Sequence, residues 1–201
     1  MKIIRLILIF IIGGPLTYLT YKSQFQVLFG ESIIWLFLIV TGVSVLFWTL
    51  ITDIKLYKVS KQPQSFALTI ICIILIGIII GLELKIQNNL NKPTLLRVFY
   101  DGDYNGTGIV FKENGTYIFH NSAIGLTDYY YGNYKINGNK ITLDKDKIDN
   151  IENIRHLEVR EKGVEFHDSI KNELFLFQVD ENGKIITNGL EYRVTIDNRK
   201  L

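Results

Sequence analysis

The stretch FALTIICIILIGIIIGLEL, Phe66 to Leu84, carries a single acid and no base. It is close to the ~20 residues that a helix needs to cross roughly 30 Å of hydrocarbon. A helix buried in a water-soluble core would show a polar stripe, and this one shows none. Working back from it, two similar runs precede it, Ile3 to Tyr21 and Ser32 to Ile51. The sequence therefore predicts three transmembrane helices in residues 1–84, over 3–21, 32–51 and 66–84.

Working forward, the character of the chain changes. Residues 85–201 are polar, rich in Tyr and Asn, and hold most of the charge. Of the 22 Lys and Arg and 20 Asp and Glu, the membrane part holds 6 and 3, a balance of +3. The remainder holds 16 and 17, a balance of −1. A near-neutral domain has no basic field for nucleic acid, so the pI of 8.5 reflects the membrane flanks. Cys72 is the only cysteine, which excludes an intrachain disulfide and a cysteine-based zinc site.

The first run competes with a signal-peptide reading, since Lys2 and Arg5 precede the apolar stretch Leu6 to Ile12. No small-x-small cleavage site follows, and apolar character continues to Leu19, so an uncleaved helix is expected. Pro15 cannot donate its backbone hydrogen bond and should kink it. Lys2 and Arg5 at the N-terminus and Lys55, Lys58 and Lys61 between the second and third runs mark one side as cytoplasmic. Lys22 alone marks the other short loop. The reading is a multi-pass inner-membrane protein with its N-terminus inside and its C-terminal domain outside. Trp35, Trp48 and Tyr21 suit interfacial anchors. Arg5 and Glu83 are expected to snorkel from the span ends, leaving no ionisable group for a pump or ion-coupled transporter. Gly77 and Gly81 form a small-xxx-small pair that would let helices pack closely, within the chain or between copies in a helix-mediated oligomer.

Residues 85–93 read as a linker closed by Pro93, and residues 94–201 as an all-β domain. Leu190, Tyr192, Val194 and Ile196 alternate with Glu191, Arg193, Thr195 and Asp197, the pattern of a half-buried strand. Tyr117 with Phe119, and Ile141 with Leu143, follow the same rule, while Leu174 to Val179 is apolar on both faces and reads as central. Asn114-Gly115, Asn137-Gly138 and Asn182-Gly183 suit tight turns, and Lys162-Gly163 is a fourth candidate. Asp144 to Asn153 could hold one short turn of helix. The predicted fold class is a three-helix transmembrane segment followed by an antiparallel β meander, closing as a small barrel or sandwich.

The run Phe111-Lys-Glu-Asn-Gly-Thr-Tyr117, with Tyr131-Gly-Asn-Tyr-Lys-Ile-Asn-Gly-Asn-Lys-Ile-Thr-Leu143, resembles the small lipocalin-like β domains of bacterial envelope proteins. The resemblance implies an antiparallel barrel-like fold and brings no catalytic residues. Three helices ahead of the domain depart from the usual single signal sequence or lipid anchor.

Asp101, Asp103 and Asn105, with Gly106, match the first half of a calcium loop, but Lys112 stands where the final acid belongs. A solvated hairpin turn explains the same residues. His120, His156 and His167 are too scattered for a metal motif. Asp144 and Asp146 lie in a charge run with Lys145 and Lys147 and read as a solvated loop. No nucleophile elbow or phosphate loop occurs, so neither an enzyme nor a cofactor is expected. In the cluster Tyr129, Tyr130, Tyr131 and Tyr134, alternation sends Tyr130 and Tyr134 to one face and Tyr129 and Tyr131 to the other. The exposed pair suits a binding surface. The expected function is a membrane-anchored extracytoplasmic binding module, its partner an envelope protein or a small apolar ligand. A structural subunit of a membrane complex is the alternative. High Ile, Asn and Lys with little Ala suggests an AT-rich bacterial genome.

Overall fold

The computed structural model describes residues 2–103, 105–166 and 169–199. The chain divides into two compact units, Met1–Asn91 and Lys92–Leu201.

The first unit holds three helices long and apolar enough to cross a membrane. They are α1 (Lys2–Lys22), α2 (Phe29–Ser60) and α3 (Ala67–Leu90), with a short strand β1 (Gln26–Leu28) and a 3-10 turn (Pro63–Phe66) between them. Helix α1 runs unbroken through Pro15. Helix α2 extends nine residues beyond the predicted Ile51 and stops at Lys61, which takes the left-handed conformation (φ 56°) and returns its N–H to the Tyr57 carbonyl. Helix α3 continues through most of the expected linker, because Lys85 to Leu90 contains no helix breaker before Pro93. Close packing of α1 uses Gly13, where a Cβ would lie 3.0 Å from Leu75 of α3.

The second unit is antiparallel throughout. Its strands are β2 (Thr94–Gly102), β3 (Asn105–Lys112), β4 (Thr116–Ala123), β5 (Leu126–Asn137), β6 (Lys140–Leu143), β7 (His156–Phe166), β8 (Ser169–Gln178) and β9 (Glu191–Asp197). They are ordered β5-β4-β3-β2-β9-β8-β7-β6, and β5 pairs with β6 as well. Strand β5 serves two neighbours: Leu126–Asn133 pair with β4, and Tyr134–Asn137 pair with β6. Alternation sends Leu96, Val98, Ile109, Phe111, Tyr117 and Phe119 into one shared core.

Gly115, Gly138 and Gly183 each take positive φ, at 81°, 59° and 83°, as turn glycines do. The asparagines before them do not, so these are not turns with two left-handed residues. Lys162-Gly163 is not a turn: Gly163 lies inside β7, opposite Asn172, and an ordinary side chain there would crowd Ile170. The segment Asp144 to Asn153 forms no helix. Instead Ile148 and Ile151 bridge each other, and Ile148 and Ile154 enter the core. Burying two isoleucines outweighs a short helix that would leave them in water.

Candidate functional site

Tyr129 and Tyr131 lie on β5, opposite His120 and Ile118 of β4. His120 in turn faces Gly108 of β3, which faces Phe99 of β2. The two-residue period therefore places Phe99, His120, Tyr129 and Tyr131 on the face turned away from the core. Phe99 is exposed and His120, Tyr129 and Tyr131 are half-buried. Tyr130 and Tyr134 take the opposite face, as the alternation predicts. Tyr134 is buried, and Tyr130 packs edge-on against Phe119 with centroids 5.9 Å apart.

The rings on the outer face lie across glycines. The Phe99 and His120 rings are stacked, with centroids 6.4 Å apart and planes at 29°. A Cβ on Gly108 would fall 2.5 Å from His120 Nε2, and one on Gly106 would fall 2.5 Å from the Phe99 ring. Only the bare backbone of β3 lets both rings lie flat. Burial, then the charge of Arg97, pushes the His120 imidazole below its ordinary pKa, so the ring is neutral near pH 7. Burial, then the neighbouring Tyr129, raises the phenol of Tyr131. The result is a neutral aromatic surface beside Arg97, suited to stacking and to hydrogen bonds from phenol tips.

Other sequence candidates are structural in this fold. Asp101, Asp103 and Asn105 form the β2–β3 hairpin tip, where Asp103 has φ 63° and its N–H is bonded to Asp101 Oδ1 at 3.2 Å. Among the described residues no three His, Cys, Asp or Glu side chains come together as metal ligands. His156 begins β7, and His167 lies outside the described residues. Asp144 is not simply a solvated loop residue. It accepts from the Tyr117 hydroxyl at 3.1 Å and from the Asn133 N–H at 2.9 Å. Asp146 pairs with Arg155 on the surface. Apart from the backbone of α3 itself, nothing among the described residues lies within 4 Å of a Cβ built on Gly77 or Gly81, so the three-helix packing does not use them.

Sequence reading missed a buried ion pair in the helical unit. Arg5 does not snorkel: it is fully buried, and its Nη1 donates to Asp53 Oδ1 at 2.7 Å and to the Thr49 carbonyl at 3.3 Å. Asp53 is fully buried as well, and its Oδ2 accepts from the Thr69 hydroxyl at 2.8 Å and the Thr69 N–H at 3.2 Å. One carboxylate thus joins α1, α2 and α3. The expectation that the helices hold no buried ionisable group fails because α2 is longer than its apolar run, which draws Asp53 into the bundle. Thr49 and Asp53, four apart on one helix face and followed by Thr69, were the available signal.

Toward its other end the unit is tied by Lys22 to Glu31 at 2.5 Å and by the Trp35 indole N–H to the Thr20 hydroxyl at 3.0 Å. The chain matches no protein family, no curated protein and no solved structure.

Proposed function

We propose that the protein is a membrane-anchored binding module whose β unit meets its partner through the face bearing Phe99, His120, Tyr129 and Tyr131. The observation that carries this reading is the register that lines these four residues up on β2, β4 and β5, with glycines of β3 beneath two of the rings. Tyrosine-rich surfaces of this kind are enriched at interfaces, because each ring offers large contact area and a polar tip. The β5–β6 pairing supports closure of the sheet into a small lipocalin-like barrel. Its interior is filled by Leu96, Ile109, Phe111, Tyr117, Phe119 and Leu176, which favours a ligand held on the outside. The basic residues Lys2, Lys55, Lys58 and Lys61 favour an orientation with the β unit outside the cytoplasm.

A photoactivatable aromatic residue in place of Tyr129, in the full chain and in native membranes, tests the surface. A discrete adduct is expected from position 129 and none from Lys135, an exposed residue farther along β5. Equal labelling from both positions would remove the surface from consideration. Reporters fused after Leu201 test the orientation separately. The unoccupied Gly77 and Gly81 face supports a second reading, a subunit that packs against another membrane helix. Gly77→Leu with Gly81→Leu would then release a co-purifying partner that Tyr129→Ala retains.

A further inference from the structure

A cavity of about 420 Å³ lies within the helical unit, where α1 ends and α2 begins, and Glu83 of α3 completes its lining. That volume falls in the range of small-ligand sites, roughly 300–1,000 Å³. Leu19 and Leu36 give it an apolar wall, and its polar lining includes Ser23, Glu31, Ser32, Trp35 and Glu83. Glu31 is held by Lys22 at 2.5 Å. Glu83 is half-buried and accepts from Gln87 Nε2 at 2.9 Å. Among the described residues no Lys, Arg or His pairs with it. The cavity therefore holds one carboxylate more than its cations answer. A half-buried carboxylate on a membrane-length helix is costly until its charge is matched.

The side-chain protons of Ser23, Ser32 and Trp35 are already spent. Ser23 Oγ donates to the Thr20 carbonyl at 2.8 Å, and Ser32 Oγ to the Leu28 carbonyl at 3.2 Å. The Trp35 indole N–H donates to the Thr20 hydroxyl at 3.0 Å. What Ser23, Ser32 and Glu83 have left to offer is acceptor oxygens. The complement of such a set is a cation made of donors alone. A primary ammonium is that group, with three N–H donors and no acceptor. A quaternary ammonium has no N–H and is held by a cage of rings, whereas Trp35 is the one ring in this lining among the described residues. A metal ion fits less well, because among the described residues no three His, Cys, Asp or Glu side chains gather as ligands. The position in the unit names the source. Tyr21 and Lys22 on α1, and Glu83 and Lys85 on α3, mark where the apolar runs stop. Lipid headgroups stand at that level when such helices cross a bilayer.

We infer that this cavity binds the primary-ammonium headgroup of a membrane lipid, with Glu83 as its counter-ion beside the acceptor oxygens of Ser23 and Ser32. The inference rests on the membrane anchoring of the helices and is independent of the aromatic face of the β unit. The test mixes the purified full chain in detergent with equal amounts of phosphatidylethanolamine, phosphatidylcholine and phosphatidylglycerol of the same acyl chains. Native mass spectrometry reads the lipid retained. Phosphatidylethanolamine should be retained about tenfold more than either of the others, the effect of one charge-assisted hydrogen bond. Glu83→Gln keeps the shape and removes the charge. It should bring phosphatidylethanolamine down to the level of the other two and leave the unfolding of the helices unchanged. The inference is overturned if no lipid is retained, if the three are retained equally, or if the preference survives Glu83→Gln. Free ethanolamine separates the sources: it should not displace the lipid at millimolar concentration, and binding as tight as the lipid's would make the ligand a soluble amine. Sedimentation of the chain with native membranes, read before detergent is added, distinguishes failure of this site from failure of the anchoring.

Discussion

Arg5 of α1 and Asp53 of α2, 48 positions apart, form a fully buried ion pair with a contact of 2.7 Å. Each charge is tolerable there only because of the other. An unpaired buried charge carries a desolvation cost that a lone hydrogen bond does not offset.

Removing one partner should therefore be worse than removing both. Arg5→Ala or Asp53→Ala is expected to destabilise the helical unit by about 3–5 kcal/mol. Arg5→Met with Asp53→Leu should recover most of that, since apolar residues of similar size can replace a buried pair. Thr69→Val should cost only about 1 kcal/mol, because the Thr69 N–H still reaches the carboxylate. Unfolding of the detergent-solubilised full chain, followed by helical circular dichroism, checks the order. Single variants as stable as the double would contradict the pairing argument.

The glycines of the bundle should not be equivalent. Gly13→Val would push a side chain into Leu75 and is expected to loosen α1 from α3. Gly77→Val meets nothing within 4 Å and should leave the unfolding of the isolated chain unchanged. The same detergent assay reads both, and a larger effect at Gly77 would show that this face is packed after all.

His120 reports on the outer face of the β unit. Burial and Arg97 hold its folded-state pKa below the ordinary value, so the unfolded chain takes up the proton first as pH falls. Its contribution is complete above the unfolded pKa of about 6.5 and is lost as pH drops below that value. Gly108→Ala should displace the ring and return its titration toward normal. The imidazole proton shift in an NMR pH series gives the answer, and an unchanged titration in Gly108→Ala would count against the stacked geometry.

At the alkaline end, the phenols of Tyr117 and Tyr192 are pushed well up. Burial is the main cause for both, with Asp144 adding to it for Tyr117. The unfolded chain releases these protons near pH ~10 while the folded chain keeps them. Stability should thus fall as pH rises above that point. Absorbance titration at 295 nm should show a class of tyrosines that ionise only on unfolding. Tyr117→Phe should shrink that class and, by removing the bond to Asp144, cost about 1 kcal/mol. Ionisation of every tyrosine in the native protein near pH ~10 would rule out this burial.

Much of this was legible locally. Apolar length marked three helices able to cross a membrane, and alternation put Tyr130 and Tyr134 on one face and Tyr129 and Tyr131 on the other. Both signals reside in neighbouring residues, because a helix or strand repeats its direction every few positions. Local reading failed where an element outran its pattern. Helix α2 carries Asp53 beyond the apolar run, α3 continues through the expected linker, and β7 runs straight through Lys162-Gly163.

The sequence by itself determined three apolar helices long enough to cross a membrane, the β character of the domain after them and which residues of a strand share a face, since water and hydrocarbon act on each side chain through its own solvation. Only the tertiary structure decided that Arg5 meets Asp53, that Asp144 holds Tyr117 and that His120 stacks on Phe99. Those pairings depend on which helices and strands become neighbours. That choice minimises unpaired charge and exposed apolar surface over the whole unit, and no short window of residues contains the information.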